Sequence, residues 1–149
     1  MGDYENICEA FPELVVSGFD LTSEATVDYN CYAWAAGFNQ VWWEPDPMEI
    51  YRWPIGIERS YSLRALIQVY KSFGFEDCLG EEREAGQEKI AIYFLDGRPQ
   101  HAARQLDTGM WTSKLGNLGD VSHTLHGLED GQYGKVVKMM QRPRVDESL

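Results

Sequence analysis

Positive charge is scarce in this 149-residue chain, with 13 Lys plus Arg against 24 Asp plus Glu and a formal net charge of −11. So acidic a surface repels phosphate backbones and anionic lipid headgroups, which argues against nucleic-acid and membrane partners. Apolar runs are short, and none approaches the ~18 residues that a membrane-crossing helix needs. The start, Met1 to Asn6, has neither the basic region nor the apolar region of a secretory leader. Asn6 also stands where a myristoylation pattern takes Ser or Thr. A cytoplasmic location is the resulting expectation. Cysteine is sparse and odd in number, with Cys8, Cys31 and Cys78 only. This is no disulfide framework, and at least one thiol stays free within a monomer. Internal repeats, linkers and low-complexity tracts are lacking as well.

What remains is ordinary globular composition, 44% hydrophobic and 25% charged. The length suits one domain over residues 1–149, able to bury roughly two thirds of its unfolded surface without disulfides or metals. Residues 1–75 read as helices and loops, and residues 86–141 as strands. Phe11 to Phe19 is apolar but broken by Pro12 and Gly18, an irregular lead-in. Thr22 to Tyr29 is polar and wraps the surface. Asn30 to Gly37 reads as a short helix, with Asn30 as N-cap and Gly37 as its stop. Trp42, Trp43, Pro45, Pro47, Trp53 and Pro54 crowd an irregular aromatic loop. Ser60 to Phe73 carries Leu63, Leu66, Ile67 and Tyr70 at helical spacing. Glu76 to Glu88 is an acidic loop. Lys89 to Leu95 is a strand, Asp96-Gly97 a hairpin turn and Gln100 to Leu106 the return strand. Met110 to Leu115 and Tyr133 to Gln141 are further strands. The expected fold is α+β, with N-terminal helices packed on a C-terminal antiparallel sheet.

Chemistry concentrates at a few positions. Cys31 opens the short helix, where the dipole and free N–H groups favour a thiolate and could hold an oxyanion. A small buried hydrophobe beside Ala33 is the plainer reading of the same residue. His101 shares one strand face with Ala103 and Gln105, while Ala102, Arg104 and Leu106 take the other. A Cys at a helix start facing a His on an adjoining sheet is a thiol-hydrolase constellation. Asp120, His123 and His126 form an Asp-x-x-His-x-x-His spacing that suits a metal in principle but offers no fourth ligand. Asp28, Glu44, Asp46 and Glu49 flank the aromatic loop, either as a solvated rim or as a site for a cationic substrate.

The strings Tyr29-Asn30-Cys31-x-Ala33-Trp34-Ala35, Trp42-Trp43, Gly86-x-Glu88-Lys89-Ile90-Ala91-x-Tyr93, His101-x-Ala103-Arg104-Gln105-Leu106, Trp111-Thr112-Ser113-Lys114-Leu115-Gly116 and Tyr133-Gly134-x-Val136-Val137 run through nearly the whole chain. Together they resemble an uncharacterised family of small bacterial proteins. The order of parts, a Cys opening a helix followed by a strand and then a strand beginning with His, is similar to papain-like peptidases of the NlpC type and their amidase relatives. Ala102-Ala103 departs from the Val-Gly-like pair that usually follows the His in that superfamily.

The second resemblance implies a papain-like domain and a cysteine hydrolase acting on a peptide or isopeptide amide. Cys31 would be the nucleophile and His101 the base. Ser113 falls at the third catalytic position, with Gln105 or Asp120 as substitutes. Asn30, Trp34, Trp42, Trp43 and Gln105 would bind the peptide or protein substrate, and no cofactor is implied. The alternative is a non-catalytic module of the same fold, in which Cys31 and His101 pack and the aromatic loop is the interface.

Overall fold

Ile90, Ala91, Ile92 and Tyr93 follow one another and are all fully buried. Only a strand covered on both faces can hide four successive side chains, because neighbours point to opposite sides. The computed structural model, which describes residues 2–144, builds the fold around that strand.

The helices are α1 (Asp3–Ala10), α2 (Pro12–Ser17), α3 (Cys31–Ala35) and α4 (Leu63–Ser72). The strands are β1 (Phe19–Leu21), β2 (Glu76–Asp77), β3 (Gln87–Leu95), β4 (Arg98–Gln105), β5 (Trp111–Lys114), β6 (Asp120–His123) and β7 (Lys135–Pro143). All seven strands join one sheet in the order β1-β6-β5-β4-β3-β7-β2, and each neighbouring pair is antiparallel. The class is α+β, dominated by sheet. The helices lie on both faces rather than one. Ala33, Ala35, Leu66, Val69 and Tyr70 of α3 and α4 pack with Ile90, Ile92 and Ala102 on one side. Ile7, Phe11 and Leu14 of α1 and α2 pack with Ala91, Tyr93 and Ala103 on the other.

Local chemistry sets the boundaries. Ser62 Oγ accepts from Ala65 N at 3.1 Å and caps α4. Asn30 Oδ1 accepts from Ala33 N at 3.3 Å and caps α3. Pro12 does not break the lead-in expected at Phe11 to Phe19. It occupies the first turn of α2, where its missing N–H has no intrahelical partner to lose. Asp96 and Gly97 both have positive φ, 54° and 81°, the twist that a two-residue hairpin needs. Arg142 of β7 donates to the carbonyls ending α3 and α4, Ala36 O and Phe73 O, both at 3.0 Å, and pairs with Glu88 at 2.7 Å. One guanidinium thus fixes two helix C-termini to the sheet. Among the described residues, no helix is long and apolar enough to cross a membrane.

Gly134 leads into β7 with φ 77°, and a Cβ there would lie 2.1 Å from Phe94 O. The β7–β3 register therefore depends on the missing side chain. Gly134→Ala is expected to cost about 2–3 kcal/mol through positive-φ strain and displaced backbone, lowering Tm by roughly 5–10 °C in thermal unfolding.

Candidate functional site

Cys31 sits in the first turn of α3, against β4. Asn30 anchors this turn twice more, donating from Nδ2 to Trp43 O at 2.6 Å and accepting from Trp43 N at 3.0 Å. The N–H groups of Ala102, Tyr32 and Cys31 itself face the sulfur and favour its charged form. Burial acts more strongly, and pushes the thiol pKa up to about 12. Burial thus opposes the thiolate expected from a helix start. A five-residue helix cannot offset the loss of water around sulfur.

His101 lies on β4 beside Ala102. Ala102 packs in the α3/α4 layer and Ala103 in the α1/α2 layer. The pleat consequently sends His101 to the α1/α2 face with Ala103. Its ring stacks on Tyr133 at 4.1 Å and 4°, and meets the edge of Tyr93 at 5.4 Å. The residue is fully buried, and neither ring nitrogen has a hydrogen-bond partner among the described residues. Burial, followed by the neighbouring His123, holds its pKa well below the usual range. Cys31 Sγ takes the backbone N–H of Ala102, the residue after His101, while the imidazole points into the α1/α2 layer.

Ser113 shares the face of His101 but does not orient it. Its hydroxyl lies 2.7 Å from His123 Nε2, while His123 Nδ1 reaches Thr124 O at 2.6 Å. A carbonyl only accepts, so Nδ1 carries the proton and Ser113 donates to Nε2. Burial lowers the His123 pKa to about 4. This Ser–His pair is sealed from solvent.

The remaining site residues divide between the faces. Trp34 and Trp42 are half-buried on the Cys31 side. Trp34 Nε1 donates to Thr112 Oγ1 at 3.0 Å, and the Arg104 guanidinium lies 5.0 Å from its ring. Trp43 is core rather than cleft wall, stacked on Phe73 at 5.1 Å. Gln105 belongs to the opposite side. Its Nε2 donates to Glu81 O at 2.8 Å and it lines a cavity of about 490 Å³ with Trp111, Thr124 and His126. Asp120, His123 and His126 do not converge: Asp120 binds Tyr29 and Thr22, His123 binds Ser113, and His126 binds Glu81 and Glu129.

Two features carry no local sequence signal. Lys114 places a buried ammonium beneath Tyr29 and Trp42, donating to Thr26 O at 2.8 Å and to Gly116 O. Burial lowers its pKa to about 8. The aromatic loop is tightly built as well. The Asp46 carboxylate accepts from Ile50 N at 2.7 Å, Tyr51 N at 3.1 Å and Arg59 Nη1 at 3.2 Å. Arg59 also donates to Asp46 O and Tyr51 O, and Trp53 Nε1 to Glu58 O. Partial burial opposes ionisation of Asp46, but these N–H donors and Arg59 together hold its pKa below the usual carboxylate range. This rigid loop presents Met48, Ile50 and Ile55 at 78%, 75% and 103% exposure.

The family model for a domain of unknown function, DUF7689, matches residues 20–141. No curated protein and no solved structure matches the chain.

A His101→Phe variant tests whether the imidazole merely packs. Phe keeps the stack on Tyr133 and removes two unpaired polar atoms, so stability is expected to rise by about 1–2 kcal/mol. The pH profile should change too. His101 and His123 have folded pKa values below the unfolded value of about 6.5. The unfolded chain binds more protons below that pH, so wild-type stability is present above it and falls on acidification toward about pH 4. Thermal melts across this window should fall less steeply for His101→Phe. A destabilised variant would contradict the packing role.

Proposed function

For this chain, which belongs to the DUF7689 family, we propose a non-catalytic binding module that holds a protein partner on the loop Pro45–Arg59. The observation that carries this reading is the loop itself, fixed by Asp46 and Arg59 and exposing Met48, Ile50 and Ile55. Burial, which raises the Cys31 pKa and lowers that of His101, weighs against a thiolate–imidazolium pair. The loop combines exposed apolar side chains with a fixed backbone. Three large apolar side chains stand in solvent on a backbone that Asp46 and Arg59 fix in place.

Ordering such a loop in advance removes part of the entropy cost of association. Met48, Ile50 and Ile55 are then anchors of the kind that fill pockets at interface centres. Beside them, Ile50, Tyr51, Arg52 and Arg59 line a depression of about 470 Å³. The net charge of −11 selects a partner whose apolar socket has a basic rim, since long-range attraction raises the encounter rate.

The test uses affinity capture with immobilised wild type and an Ile50→Asp/Ile55→Asp double variant. A retained protein is then purified and its affinity measured for each. The double variant is expected to bind at least ~30-fold more weakly, as about 2 kcal/mol of anchor contact disappears. Added salt should weaken wild-type binding. Equal affinity for both proteins, or insensitivity to salt, would overturn the reading.

A further inference from the structure

The 490 Å³ cavity on the α1/α2 side is walled in part by residues 81–83, from the segment between β2 and β3. That wall meets a single imidazole. His126 Nε2 lies 2.6 Å from Glu81 Oε2, and His126 Nδ1 lies 2.6 Å from Glu129 Oε1. A carboxylate offers only acceptor atoms, so both contacts are hydrogen bonds only when both ring nitrogens carry protons. A neutral imidazole would set one bare lone pair against a carboxylate oxygen. The geometry therefore belongs to the imidazolium form. We propose that His126 is a proton-operated latch that pins residues 81–83 as the wall of this cavity and releases them when it loses its proton.

The surroundings determine which contact opens. Glu129 is held from a second side, because its other oxygen accepts from Val136 N at 2.9 Å. Glu81 is held by its side chain only through His126, although its carbonyl accepts from Gln105 Nε2. On the far side of the segment Lys89 fixes Gly80 O and Glu84, both at 3.2 Å. Loss of the proton thus leaves residue 81 held by the Gln105 bond alone and loosens the span 81–83, while Lys89 keeps the ends of the segment in place. The charged groups facing His126 are Glu81 and Glu129, with Glu82 and Arg83 on the same cavity rim. From β4 and β5 come only the neutral Gln105 and Trp111. Glu129 and then Glu81 raise the His126 pKa against a smaller opposing effect of burial, so the latch is closed at mildly acidic pH and opens as pH rises past the range of a free histidine.

Arg83 supplies the readout. Limited trypsin cleavage after Arg83 is measured in the intact protein at about pH 6 and pH 8.5, each rate divided by that of a free peptide of residues 79–88. The ratio reports how often the segment opens. Wild type is expected to show a rise of about fivefold between the two pH values. His126→Gln offers one donor and no charge, so it should give the high ratio at both. Circular dichroism of this surface variant confirms that the fold is kept. A wild-type ratio that does not change with pH, or an equal rise in His126→Gln, would overturn the latch.

Discussion

The pleat of β4 is the constraint on which the rest of the molecule depends. Successive residues of a strand must point to opposite faces, and β4 is covered on both. Ala102 therefore enters the layer of α3 and α4, while His101 and Ala103 enter the layer of α1 and α2. Cys31, at the start of α3, takes the N–H of Ala102 at the edge of the same strand. A one-residue slip of register would invert every buried residue of the strand.

The two faces then do different physical work. On one, Trp43, Phe73 and the α3/α4 residues form a core whose outer side is the loop fixed by Asp46 and Arg59. On the other, two histidines sit neutral among aromatic rings, one bonded to Ser113 and one stacked on Tyr133. Charge is kept at the periphery or paired. Arg142 meets Glu88 and two helix ends, and His126 meets two carboxylates. Lys114 departs from this, an ammonium drawn inside and met by backbone carbonyls and ring faces, as does Asp120, a buried carboxylate met by Tyr29 and Thr22.

Features governed by neighbours in sequence were legible before the structure. The Asn30 and Ser62 caps, the α4 stripe and the Asp96-Gly97 hairpin each follow from a local rule. The short strands β1, β2 and β6 were not, because two to four residues without a turn signal show no period. The helix α1 also escaped the reading, its acidic first turn hiding the buried Ile7. Even the alternation of His101 and Ala102 was legible, but it names no face. Which helix covers which side of a sheet is set by packing of distant segments. The order of parts that resembles papain-like peptidases carries the same ambiguity, since order is preserved whichever face the helix takes. Lys114 and the His126 clamp depend wholly on tertiary contacts and left no mark in the surrounding sequence.

The reactivity of Cys31 tests the central claim most directly. In a Cys8→Ser/Cys78→Ser background, the rate of alkylation by iodoacetamide can be followed from pH 6 to pH 9, with and without His101→Ala. A thiol whose pKa is raised to about 12 should react far more slowly than a free thiol throughout, and the histidine substitution should leave that rate unchanged unless it loosens the fold. Rapid alkylation at pH 6 that slows when His101 is removed would contradict the account, because it would show the imidazole sustaining a thiolate.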